Sequence, residues 1–218
     1  MKTIFKLWQK LVNLFQNLLV PEDLKIQKLL EIEAGTMREL LPKSPVYLKD
    51  IFVLFDYQNK IVRLIVKSIK YKNNAGLRKR VASFLYEEIT EIASEVSLFA
   101  GTSPVLIPMP MSKKEKMERG FNQCEELCAE IKKLAGANLE VSNDILKKIR
   151  ETQRQTTLGR AERILNIQNS MAAASFASHG RTFIILDDVY TTGASLAEAR
   201  RALLSSGAKR VIGLFIAH

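Results

Sequence analysis

Two adjacent acids, Asp187 and Asp188, close the apolar run Ile184–Ile185–Leu186, and the loop Val189–Tyr190–Thr191–Thr192–Gly193–Ala194–Ser195 follows. The pattern predicts a buried strand, a short turn and the start of a helix. Such a turn presents successive backbone N–H groups and hydroxyls at the positive end of a helix, which suits a phosphate. Gly193 permits a positive φ or a close backbone approach. The acids repel phosphate, so their task is to hold sugar hydroxyls or a hydrated Mg²⁺. A phosphate and a diol side by side describe a ribose 5-phosphate. The plainer alternative is an N-capped helix, with Thr191, Thr192 or Ser195 as the cap. Capping accounts for one hydroxyl and leaves the acid pair unexplained.

The segment resembles the phosphoribosyltransferase signature, two acids followed by Thr-Thr-Gly-x-Ser. That resemblance implies that Thr191, Thr192, Gly193, Ala194 and Ser195 grip the 5-phosphate of phosphoribosyl pyrophosphate (PRPP), with Asp187 and Asp188 on the ribose hydroxyls. PRPP also carries a pyrophosphate, which needs cations or N–H groups elsewhere. Pro108–Met109–Pro110–Met111–Ser112–Lys113–Lys114 leaves an apolar run, with Lys116 and Arg119 close behind. The expectation is that Ser112, Lys113 and Lys114 face the pyrophosphate; a solvated lysine-rich turn is the alternative. Leu146–Asn166 is a polar, basic stretch, and within it a third segment, Lys148 to Asn166, has little to bury, which suits a mobile loop over a polyanion; an ordinary exposed loop is the alternative.

The elements that must position these residues alternate between strand and helix patterns. Ile51–Tyr57, Pro104–Met109, Thr182–Asp188 and Arg210–Ala217 predict strands. Asp23–Leu41, Lys60–Tyr71, Leu77–Leu98, Gly120–Leu134 and Ser195–Ser206 predict helices. The alternation implies an α/β fold with a mainly parallel central sheet and flanking crossover helices. Residues 1–48 are expected to form a helical amino-terminal appendage to a domain spanning 49–218. Apolar residues at Ile4, Leu7, Trp8, Leu11, Leu14, Phe15 and Leu18 have amphipathic helical spacing, interrupted by Lys6, Lys10, Asn13, Gln16 and Asn17. A helix docked on the main domain is one reading and a membrane-surface or partner-binding helix another, while a cleaved signal is disfavoured because no small-x-small site follows. No transmembrane span is expected, and the chain reads as cytoplasmic, with peripheral membrane contact left open.

The combined motifs narrow the resemblance. A Pro-x-Pro loop, Arg119–Gly120–Phe121–Asn122–Gln123, Arg150–Glu151–Thr152–Gln153–Arg154–Gln155 with Leu158, Arg163 and Asn166, and the acid-pair loop together resemble the ComF family. Its members are phosphoribosyltransferase-like proteins associated with bacterial DNA uptake in competence. The resemblance covers roughly Ile51 to Ala217. It implies a sheet of the type I phosphoribosyltransferase kind, PRPP with Mg²⁺ near Asp187 and Asp188, and Arg150, Thr152 and Gln155 in a flexible catalytic loop. It leaves a homodimer open. Family members commonly begin with a zinc module of Cys-x-x-Cys pairs. Leu18–Tyr47 contains no cysteine, so no zinc is expected, and Cys124 and Cys128 read as helix residues facing the sheet.

Composition excludes whole classes. With 218 residues, 47% hydrophobic and 26% charged, the chain is neither collagen-like nor disordered, and two cysteines and two histidines make a disulfide framework or zinc module implausible. The net charge is +10. Lys60–Arg80 holds Lys60, Arg63, Lys67, Lys70, Lys72, Arg78, Lys79 and Arg80 without an acid. Lys60, Arg63, Lys67 and Lys70 form one helical stripe that suits a nucleic-acid backbone, with Tyr57 and Tyr71 available to stack on bases. The two functional readings are therefore a phosphoribosyltransferase and a non-catalytic single-stranded DNA-binding partner of a DNA-uptake helicase, with PRPP as regulatory ligand. Attraction of the charged substrate or a plain solvated face would also explain the stripe.

Overall fold

The computed structural model describes residues 20–46, 48–100, 102–152, 165–174 and 178–218. The Ile4–Leu18 amphipathic segment and Gln155 lie outside the described residues. Strands β1 (Ile51–Phe55), β2 (Val105–Pro108), β3 (Glu140–Val141), β6 (Thr182–Val189) and β7 (Arg210–Ala217) form a sheet of order β1-β7-β6-β2-β3. Every neighbouring pair is parallel, as the alternating pattern implied.

Both faces of the sheet are covered, which explains the unbroken apolar runs. Phe183, Ile184, Ile185 and Leu186 are each 0% exposed. Ile184 and Leu186 pack with Leu106, Ile212 and Leu214 on one side, and Phe183 and Ile185 pack with Val105, Ile107 and Phe215 on the other. Helices α3 (Lys60–Lys72), α4 (Ala75–Ala100) and α6 (Gln123–Ala135) contribute to the first core, while α7 (Ala194–Ser205) packs Leu196, Ala199 and Leu203 into the second. Asn59 starts α3 by accepting from the N–H groups of Ile61 and Val62, and Asn73 ends it in a left-handed conformation.

The appendage differs from expectation. One helix over Asp23–Leu41 is predicted, but the chain forms α1 (Glu22–Leu30) and α2 (Ala34–Leu40). Glu33 is extended, and its carboxylate accepts from Gly35 and Thr36, so a new helix starts there. Arg80 of α4 donates to the carbonyls of Leu30 and Ile32, satisfying the end of α1. Ile26, Leu29, Ile32, Met37 and Leu41 join the same core as α3 and α4, whereas Leu24 is exposed.

The polar stretch beginning at Leu146 also contains a strand that periodicity misses. β4 (Leu146–Lys148) pairs antiparallel with β5 (Met171–Ala173), outside the main sheet. From β6 the chain passes through α7 to β7 on one side. From β2 it passes through α5 (Lys113–Arg119) and α6 to β3 on the other. The strand order thus reverses between β2 and β6, and open α/β sheets bind ligands beyond the carboxyl ends at such a point. No helix among the described residues is long and apolar enough to cross a membrane.

Candidate functional site

A cavity of about 670 Å³ opens beyond those strand ends, lined by residues that include Met109, Asp187, Asp188, Thr191, Gly193 and Ser195. The β2–β6 register runs to Pro108 opposite Leu186, and the Met109 N–H donates to the Leu186 carbonyl at 2.8 Å. This brings the exit loop of β2 beside the acids.

The two acids are held differently. Asp188 is 5% exposed, and its Oδ2 meets Lys70 Nζ at 2.8 Å and accepts from Gln123 Nε2 at 2.9 Å. Lys70 comes from the last turn of α3, and Gln123 from the first turn of α6. Asp187 Oδ1 accepts from the Asp188 N–H at 2.8 Å and from the Cys124 thiol at 3.6 Å. Burial and the adjacent Asp188 charge push the Asp187 carboxyl up to about 7, against the opposing pull of Lys70, the Asp188 N–H and the thiol. Burial works against the Lys70 charge, but Asp188 and Asp187 outweigh it and hold the ammonium above its ordinary range. Burial, with the two aspartates, pushes the Cys124 thiol well up. One ammonium therefore serves two carboxylates.

The loop after the acids is built as its residue types suggest. Gly193 occupies the N-cap position of α7 with φ +76, and has no side chain to bond the first-turn amides. The Tyr190 ring packs edge-on against Phe215 at 5.0 Å and lies 5.7 Å from the His218 ring. Thr191, Gly193, Ala194 and Ser195 line the cavity, and Thr192 Oγ1 accepts from the Ala194 N–H at 3.4 Å.

Ser112, Lys113 and Lys114 stand at the start of α5. Ser112 is buried and caps α5: its hydroxyl accepts from the Glu115 N–H, and its own N–H donates to the Glu115 carboxylate, both at 3.2 Å. A capping box commits both groups to the helix. Lys113 and Lys114 lie on the exposed side of α5 and do not line the cavity. Among the described residues, the cations that do are Lys70, Arg119 and Lys148. Lys148 meets Glu115 at 3.0 Å with its side chain 8% exposed. Burial opposes the Glu115 charge, but Lys148 and the Ser112 N–H hold that carboxyl below its usual range. Arg119 Nη1 donates to Gln123 Oε1 at 2.5 Å, and its guanidinium stands 5.5 Å from the centre of the Tyr71 ring.

Arg150 stands just after β4. It is exposed, and its Nη2 donates to the carbonyls of Asn166 at 2.9 Å and Gln168 at 2.7 Å. It fastens backbone beside the β4–β5 ribbon, while Thr152 lines the cavity. The basic stripe is divided as well. Lys60, Arg63 and Lys67 are exposed, but Lys70 turns inward to Asp188. Lys72 pairs with Glu22 and Asp23, and Arg78 with Glu126 and Glu130. Three members of the basic run, Lys70, Lys72 and Arg78, are thus paired with acids distant in sequence. Gln123 belongs to a segment singled out for its resemblance, but no local pattern assigned it to Asp188; nor did any aim Lys70 or Lys148 into the site.

The switch point of the parallel sheet thus joins an acid pair to a hydroxyl–glycine loop over one cavity. No family model matches the chain. It is 30% identical over 171 residues to DNA utilization protein YhgH of Shigella flexneri, covering 78% of this chain and 72% of that protein. It is also 30% identical over 155 residues to competence protein ComFC of Bacillus subtilis, covering 66% of this chain but 60% of the relative. With competence protein F of Haemophilus influenzae it shares 25% identity over 165 residues, 74% of this chain and 70% of that protein. The chain belongs to the ComF family. A solved structure titled "Analysis of an invariant aspartic acid in HPRTs-alanine mutant" superposes with a TM-score of 0.39 at 11% identity, covering 63% of this chain and 67% of that one. So loose a superposition decides nothing about the site.

Proposed function

We propose that the chain binds Mg-PRPP and handles or transfers its 5-phosphoribosyl group. The observation that carries this reading is the meeting, in one cavity, of the acid pair ending β6 and the loop that starts α7. Thr191 to Ser195 take the 5-phosphate, and the acid pair takes the ribose hydroxyls. Arg119 and Lys148, which line the cavity, would face the pyrophosphate. Two carboxylates facing one ammonium leave negative charge in the cavity, which suits hydroxyl donors and a hydrated Mg²⁺ carried by the ligand's phosphates. Mg²⁺ would supply neutralisation of the departing pyrophosphate. The chain's own contribution is positioning and charge complementarity as the C1–pyrophosphate bond breaks.

The relatives' names, competence protein and DNA utilization protein, support an association with DNA uptake. PRPP is an intracellular metabolite, so the reading also places the chain in the cytoplasm. A second reading, a single-stranded DNA-binding module working with an uptake helicase, is favoured by the exposed Lys60, Arg63 and Lys67 of α3. Isothermal titration with PRPP and Mg²⁺, followed by a pyrophosphate-release screen over nucleobases, tests the first reading. Absence of PRPP binding sinks it. Binding without release against any base favours the regulatory-ligand reading.

A further inference from the structure

The acid pair is asymmetric in a way its sequence does not suggest. Asp188 has a single carboxylate oxygen engaged by two donors from two helices, Lys70 Nζ at 2.8 Å and Gln123 Nε2 at 2.9 Å. Gln123 is itself held by Arg119 from the end of α5. Asp188 thereby ties α3 and α6 to the end of the central strand, and its side chain is only 7% exposed. Asp187 has no comparable engagement: its Oδ1 receives the next backbone N–H and a long contact from a thiol. Both residues line the cavity, but their hydrogen-bonding capacity is spent differently.

We propose that Lys70 is the resident counter-ion of the acid pair: it holds Asp188 as a positioning residue and leaves Asp187 as the carboxylate that meets the ligand. This inference rests on the ribose-phosphate reading of the cavity. A buried ion pair broken on one side leaves an uncompensated charge, whereas removing both partners does not. That difference makes the assignment testable. Lys70→Met strands Asp188, and adding Asp188→Asn removes the stranded charge while keeping an acceptor for Gln123.

The test compares Mg-PRPP affinity by calorimetry in wild type, Lys70→Met, Lys70→Met/Asp188→Asn and Asp187→Asn, with thermal melts to confirm folding. Lys70→Met is expected to weaken binding at least tenfold, and the double variant to bind at least fivefold tighter than Lys70→Met. Asp187→Asn is expected to lose at least tenfold whether made alone or in the double variant. If Asp188→Asn gives no recovery, or deepens the loss, Asp188 itself meets the ligand and the proposal is overturned. Should Lys70→Met alone fail to fold, the double variant is compared with wild type, and a loss of affinity beyond tenfold overturns the proposal.

A second readout needs no ligand. Asp187 faces Asp188 on its own strand, Lys70 from α3 and Cys124 from α6. Carboxyl-carbon NMR of the Asp187 titration should move upward by about one pH unit or more in Lys70→Met. An unmoved titration overturns the counter-ion role. Should wild type not bind Mg-PRPP, the ribose-phosphate reading fails, and this titration still decides whether Lys70 is the counter-ion.

Discussion

Substituting Gly193 by alanine probes the phosphate loop without touching a charge. Two costs arise from the structure. The residue has φ +76, a left-handed conformation that an L side chain adopts at a cost of about 1–2 kcal/mol. The new Cβ would also stand 2.8 Å from Tyr190 Oη, with the ring carbons Cε2 and Cζ at 3.2 Å. Tyr190 cannot simply swing aside, because its ring packs on Phe215 and lies beside His218. Forcing it off its rotamer adds about 0.5–1.5 kcal/mol. Together the two costs predict a loss of about 1.5–3.5 kcal/mol. Urea unfolding should show the midpoint falling with an unchanged slope, since the surface exposed on unfolding is the same. Mg-PRPP affinity should fall with it, at least tenfold, if the loop meets the 5-phosphate as proposed, because that loop must distort. A variant within about 0.5 kcal/mol of wild type that binds Mg-PRPP normally would refute both the loop conformation and its assignment.

Three further outcomes are expected. Asp187 has a folded-state pKa near 7, above its ordinary value of 3.8, so the folded protein holds this proton more tightly than the unfolded chain. Its contribution is therefore greatest below about pH 4 and is lost as pH rises through 7, with a slope of at most about 1.4 kcal/mol per pH unit. Asp187→Asn should flatten that part of the urea stability profile between pH 4 and 7. Burial raises the pKa of both Cys124 and Cys128, so iodoacetamide at pH 8 should label neither until the protein unfolds; rapid native labelling would contradict their placement. If α3 tracks single-stranded DNA, changing Lys60, Arg63 and Lys67 to Gln should reduce the log–log salt slope of binding by about 2, at roughly 0.7 per phosphate. Mg-PRPP affinity should stay within about twofold.

Legibility in the sequence followed the range over which each signal acts. Strand β6 and the start of α7 could be read because burial on both faces, two acids and a glycine turn are all local to one segment. The break between α1 and α2 could not: it rests on Glu33 capping a new helix, a role more often taken by Ser, Thr, Asp or Asn. Ser112 followed three residues later by Glu115 is a capping-box pattern, a local sign that α5 starts there. β4 and β5 escaped because three-residue strands carry too little periodicity to stand out from a polar stretch.

Charge is where local reading fails most informatively. A run of basic residues without an acid looks like a single surface, but side chains on one helix can answer to different partners. On α3, Lys60, Arg63 and Lys67 face solvent, while Lys70, on the same helix as Lys67, reaches the buried carboxylate of Asp188. Long aliphatic stems make this possible, since a lysine can lie along an apolar face and deliver its ammonium well away from its own Cα. A quadruple variant that neutralised all four residues would confound a surface with a site: loss of PRPP binding would follow from Lys70 alone, and loss of DNA binding could follow from the other three. Dividing the stripe at Lys67 removes the ambiguity. The three outward residues then test the nucleic-acid reading, and Lys70 tests the small-ligand site, on one helix and with independent readouts.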